Sequence, residues 1–111
     1  MSLKSILQEV FVERERQISK GRTLESDQIQ DMDFEIRYKE KSPLISGAIA
    51  FCFDALGEGH LSGHIWPWEK VGRGKFVPGD SKRDSIIKAM AMLAAELERM
   101  DSYESTGSGT L

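Results

Sequence analysis

Cysteine is almost absent from this sequence. Cys52 alone excludes an internal disulfide and any multi-cysteine zinc site, and a solitary thiol suits a reducing compartment. Long apolar runs are missing as well. The longest, near residues 48–53, is far below the ~20 residues of a membrane span. The residues after Met1 also lack the apolar stretch of a signal peptide, so no membrane partner and a cytosolic location are expected. Nor does one sign of charge dominate: 15 basic residues stand against 18 acidic ones, a net charge of −3. No global field therefore draws duplex nucleic acid or a membrane surface to the chain.

What is present fits one small globular unit. With 40% apolar and 30% charged residues over 111 positions, the chain can close one modest core and has little spare stability, which oligomerisation would supplement. From Ser2 to Lys20 the apolar residues Leu3, Ile6, Leu7, Val10, Phe11 and Ile18 recur at helical spacing. The pattern predicts an amphipathic helix capped by Ser2 and ended by Gly21, with Glu9, Glu13, Arg14, Glu15 and Arg16 on its wet face. Residues 22–31 have no sustained period and read as a loop. In 32–39 apolar and charged residues alternate, which suits a strand with Met32, Phe34, Ile36 and Tyr38 inward; helix is the alternative. Ser42-Pro43 has the chemistry of a helix start and Gly57 that of a stop, and they enclose a mostly apolar central helix.

Residues 57–80 hold six of the ten glycines and two of the three prolines, so a long irregular loop is expected, with 64–66 and 75–77 available for a short hairpin. Ser81-x-x-Asp84 is a capping-box pattern. It opens a last helix whose Ile86, Met90, Leu93, Leu97 and Met100 alternate in steps of four and three, while Ala89, Ala91, Ala94 and Ala95 widen the apolar face enough for two neighbours, one of them another subunit. The fold expected is mainly α: a three-helix core with a Trp- and Gly-rich loop and α+β as the alternative, a helical domain over 1–101 and a flexible tail over 102–111.

Chemistry concentrates around the loop. Between His60 and Asp84, Lys70, Arg73, Lys75, Lys82 and Arg83 oppose Glu69, Asp80 and Asp84, a net +2 against −5 for the rest. In a small core Trp66 and Trp68 are first of all volume. The alternative assigns Trp66, Trp68, Arg73, Lys75, Lys82 and Arg83 to an anionic ligand, with rings stacking a base and cations or the last helix's opening N–H groups holding phosphate. Gly72-Arg73-Gly74-Lys75 lacks the spacing of a Walker loop. His60 and His64 would suit a metal only on a helix, against which Gly59 and Gly63 argue, so surface histidines are expected. Cys52, without a neighbouring cation, reads as an inert buried thiol. Glu9, Glu13, Asp54, Glu96 and Glu98 are the only catalytic stock, either as Mg²⁺ ligands or as solvated partners of Arg14, Arg16 and Arg99.

Several short motifs carry a resemblance: Glu13-Arg14-Glu15-Arg16-Gln17-Ile18, Gly21-x-Thr23, Trp66-Pro67-Trp68, Phe76-x-Pro78, and Arg83-Asp84-x-x-x-Lys88-Ala89 leading to Ala95-Glu96-Leu97-Glu98-Arg99. Together, over residues 9–101, they resemble small proteins of bacteriophages and prophages. The histidines that those proteins carry after the Gly-Trp-Thr motif are replaced here by Glu25-Ser26-Asp27-Gln28-Ile29-Gln30-Asp31. The resemblance implies a viral origin rather than an activity. The expectation is thus a phage-type accessory or counter-defence protein in the host cytosol. It would be non-enzymatic, homo-oligomeric and without cofactor, recognising a host protein or a phosphorylated nucleotide. A Mg²⁺-dependent all-α nucleotide pyrophosphohydrolase using Glu9, Glu13 and Glu96, and a purely structural subunit, are the alternatives.

Overall fold

The structure is a computed structural model and describes residues 2–20, 29, 32 and 42–107. Its elements are α1 (Leu3–Ser19), α2 (Pro43–Ala55), α3 (Gly59–Ile65), a 3-10 turn (Pro67–Val71) and α4 (Lys82–Gly107). The protein is mainly helical, and no strand occurs among the described residues. The strand expected over 32–39 lies outside them except for Met32, which is helical and exposed. The hairpin is not formed. Half of the expected loop is helix instead, and α4 runs on to Gly107, past the expected start of the tail.

Local chemistry accounts for the ends of these helices. Ser2 caps α1 by accepting the Ser5 N–H on Oγ at 3.2 Å. At the end of α2, Gly57 takes φ +82°, and its N–H reaches the Asp54 carbonyl at 3.0 Å while the Glu58 N–H reaches Phe53 at 2.8 Å. This paired closure needs the left-handed conformation that glycine adopts freely. Ser42 departs from expectation: it is itself left-handed, with φ 52°, and its side chain caps nothing. At α4 the Ser81 Oγ accepts the Asp84 N–H at 3.0 Å, but the Asp84 carboxylate reaches the Asp80 N–H at 2.8 Å instead of closing the box on Ser81.

The central helix α2 packs against α3, the 3-10 turn and α4. α4 packs against α1 on one side and α2 on the other, whereas among the described residues α1 meets no other element. Small side chains allow this double contact: Ser85, Ala89, Ala91 and Ala95 are buried along it. The larger core cluster joins Leu44, Ala48, Ala50 and Phe51 of α2 to Trp66, Trp68, Ala89, Met92 and Ala95, with Ile65 and Phe76 at its edge. The Trp66 ring meets Phe51, Trp68 and Phe76 at centroid distances of 5.6, 4.7 and 5.2 Å, all edge-on. Both tryptophans are therefore core residues. Buried hydroxyls tie the layers together: Ser62 Oγ donates to the Ala50 carbonyl at 2.6 Å, and Ser85 Oγ donates to Asp54 Oδ2 at 2.5 Å while accepting the Gly79 N–H at 3.1 Å.

Between α1 and α4 the expected polarity is reversed. The buried face of α1 is Val10, Glu13, Arg14 and Gln17, whereas Leu3, Leu7, Phe11 and Ile18 lie exposed. Likewise Ile86, Leu93, Leu97 and Met100 of α4 are exposed and only Met90 of that stripe is partly covered. The small apolar contact of Val10, Ile87 and Ala91 is flanked by charge pairs: Arg83 with Glu9, Lys88 with Glu13 at 3.7 Å, and Arg14 with Glu98 at 2.8 Å. Those partners satisfy the polar groups that the α1 interface covers, which leaves the apolar stripes turned outward.

Candidate functional site

A cavity of about 580 Å³ opens where α1 ends, beside the aromatic cluster and the loop that leads to α4. Its floor is Phe51, Trp66 and Trp68. These rings are almost wholly covered, with Trp66 7% and Trp68 4% exposed, so they shape the cavity and offer little open face for stacking.

The rim is basic. The last turns of α1 supply Arg16 and Lys20, the loop supplies Arg73 and Lys75, and α4 supplies Lys88, against Asp80 and Asp84. Two of the five cations are already engaged. Arg16 grips Glu13 with two hydrogen bonds of 2.9 and 2.6 Å, and Lys88 lies 2.9 Å from Asp84. Lys20, Arg73 and Lys75 have no ion pair among the described residues. Gly72 and Gly74, with φ +75° and +99°, bracket Arg73 and give this stretch its left-handed turns. The Arg73 N–H bonds the Trp68 carbonyl at 3.0 Å, so the basic loop is moored to the aromatic floor.

Behind the rim sits a buried carboxylate. Glu13 is 8% exposed and accepts from Arg16 and from Gln17 Nε2 at 3.2 Å. Burial pushes its carboxyl up, but the Arg16 hydrogen bond, the charges of Lys88 and Arg16 and the Gln17 amide outweigh it and hold the group below the usual carboxylate range. Asp84 is treated alike: desolvation raises it, and the Asp80 N–H and Lys88 bring it lower. Glu9 is lowered by its hydrogen bond with Arg83, which is itself raised.

Of the six residues expected to hold an anionic ligand, Trp66, Trp68, Arg73 and Lys75 line this one cavity. Lys82 is exposed at the start of α4 and does not line it; Arg83 lines a separate groove of about 360 Å³ with Glu9. At the opening of α4 the Asp84 N–H is already taken by Ser81 Oγ. Arg16, Lys20 and Lys88 escape a reading of the loop alone because they arrive from α1 and α4. The Asp84-x-x-x-Lys88 and Glu13-x-x-Arg16 spacings, each about one helical turn, mark ion pairs along a single helix and not the cavity that Arg16 and Lys88 enter.

The proposed metal carboxylates are held apart in function: Glu9 by Arg83, Glu13 by Arg16, and Glu96 by Arg99 at 2.6 Å. Among the described residues no three metal-ligating side chains come together. His60 and His64 are exposed as expected, although α3 does place both on a helix; His60 Nε2 lies 3.4 Å from Glu58. Cys52 is not buried but exposed, because α2 turns Ile45, Ile49 and Cys52 outward together. Among the described residues no helix is long and apolar enough to cross a membrane. Compared with known proteins, the chain matches no family model, no curated protein and no solved structure.

Proposed function

We propose that this is a small non-enzymatic binding protein of phage type, an accessory or counter-defence factor acting in the host cytosol as a homo-oligomer. Its ligand is anionic and carries phosphate, as a phosphorylated nucleotide or on a host protein. The observation that carries the ligand reading is the rim of Lys20, Arg73 and Lys75, which form no ion pair among the described residues, over a cavity large enough for a nucleotide-sized group. The covered tryptophans make charge, not base stacking, the main source of affinity. Glu9, Glu13 and Glu96, each neutralised by an arginine, support binding without turnover. The viral origin is supported by the shared motifs alone.

Calorimetric titration with pyrophosphate and with nucleoside mono-, di- and triphosphates tests this. Wild type should bind, and an Arg73→Ala/Lys75→Ala variant should lose roughly tenfold or more, the equivalent of ~1.4 kcal/mol, together with part of the salt dependence. Its melting temperature should barely move, since both residues are exposed. Incubation with triphosphates and Mg²⁺ should release no phosphate. Unchanged affinity in the variant removes the site. Absence of heat with every phosphate compound removes the nucleotide, and turnover lost in Glu13→Gln would make the protein an enzyme.

A further inference from the structure

We infer that the outward apolar stripes of α1 and α4 form one face on which a second copy of this chain docks. This rests on the oligomeric part of the reading above and is independent of the ligand. The two stripes are joined across a groove of about 380 Å³ lined by Leu7, Val10, Phe11, Ile18 and Ala94, with the charged Arg14, Glu15 and Glu98 also on its wall. Beside it Leu93, Leu97 and Met100 stand as a ridge, 42%, 59% and 42% exposed. Groove and ridge on the same face are what an isologous contact needs, because a two-fold axis sets the ridge of each copy against the groove of the other. The spacing along α4, steps of four and three from Ile86 to Met100, is also that of a seam which packs against its like.

Area and charge select the occupant. The eight exposed side chains of the two stripes average about half exposure, which leaves roughly 700 Å² of apolar surface, close to the ~800 Å² that each partner contributes to a standard interface. A monomer rarely leaves such a patch open to water. Within the groove the buried Arg14 is already bonded to Glu98 at 2.8 Å, so the partner need bring no countercharge to it. A copy of the same face meets that requirement.

Sedimentation velocity from about 1 to 100 μM, with thiol labelling of Cys52 along the same series, tests the inference. Wild type should dimerise. Leu97→Glu on the ridge and Phe11→Glu in the groove should each raise the dissociation constant at least about tenfold. Both positions are more than half exposed, so helicity and tryptophan emission at low concentration should match wild type. Labelling of Cys52 should not slow as the dimer forms, because that thiol is on the outward face of α2, and α2 makes no contact with α1. A monomer at every concentration overturns the oligomeric reading itself. A dimer that both variants leave intact, or one that protects Cys52, preserves the oligomer but overturns this face.

Discussion

The most searching test of the packing beneath the cavity is Gly47→Ala. Gly47 lies inside α2 where a Cβ would sit 2.5 and 2.9 Å from two carbons of the Trp68 ring and 2.6 Å from the Met92 terminal methyl. The methionine end can swing aside, but the indole cannot. It is 4% exposed and abuts Trp66 at a centroid distance of 4.7 Å. Overpacking of this kind costs about 1–3 kcal/mol, and the rigid ring argues for the upper half of that range. Alanine recovers about 0.5–1 kcal/mol of helix propensity, leaving a net loss of roughly 1–2 kcal/mol.

Gly63→Ala provides the control. It is also helical, in α3, but a Cβ there meets nothing within 4 Å, so only the propensity gain of about 0.5–1 kcal/mol remains. In thermal melts followed by circular dichroism, Gly47→Ala should fall by roughly 5–10 °C while Gly63→Ala stays level or rises by a few degrees. Tryptophan emission should shift in the first variant only, and its affinity for phosphate compounds should drop, because Trp68 is part of the cavity floor. If Gly47→Ala melts at or above wild type, the close approach of Trp68 to α2 is wrong, and the architecture of the cavity with it.

Two further outcomes follow from buried polar groups. Ser85→Ala removes a hydroxyl that both donates to Asp54 and accepts from the Gly79 N–H with no exposure to water, so urea unfolding should report a loss of about 2–3 kcal/mol; a loss under ~0.5 kcal/mol would mean that water replaces it. Acid should destabilise the fold through Glu13, Asp84 and Glu9, all held below their ordinary values of 4.5, 3.8 and 4.5. The unfolded chain then binds more protons as pH falls, so stability is retained above about pH 5 and lost below about pH 4. Glu13→Gln should flatten that decline, and a melting temperature constant down to about pH 3 would refute the assignment.

Periodicity in the sequence identified which residues share a helix face but not which face is covered. The stripe from Ile86 to Met100 has the stronger apolar signal, yet α4 buries Ser85, Ala89, Ala91, Met92, Ala95 and Glu96. Small residues let two helices approach one backbone closely, a gain that a count of large apolar side chains does not register. On α1 the inversion has a different cause. Glu13, Arg14 and Gln17 are tolerable in the interface because α4 supplies Lys88 and Glu98, and those pairings join positions 75 and 84 residues apart. The loop half of the cavity was legible because Trp66, Trp68, Arg73 and Lys75 are close in sequence. The α1 and α4 half was not, for the same reason of separation.

The short motifs picked out in the sequence take on a different meaning in three dimensions. Glu13, Arg14, Arg16 and Gln17 come from one motif, Arg83, Asp84 and Lys88 from a second, and Glu98 from a third. All of them belong to the polar contacts within α1 and α4 and between them. Such pairs are individually weak where exposed, and they matter here because α4 is the one element that α1 meets among the described residues. The motif residues therefore track the attachment of one helix more than a reaction. That attachment also sets the distance between Arg16 and Lys20 on α1 and Arg73 and Lys75 on the loop. Loosening it by Glu98→Gln, which breaks the Arg14 pair outside the cavity lining, should consequently weaken pyrophosphate binding in calorimetric titration even though Arg73 and Lys75 are left untouched; unchanged affinity would refute the coupling.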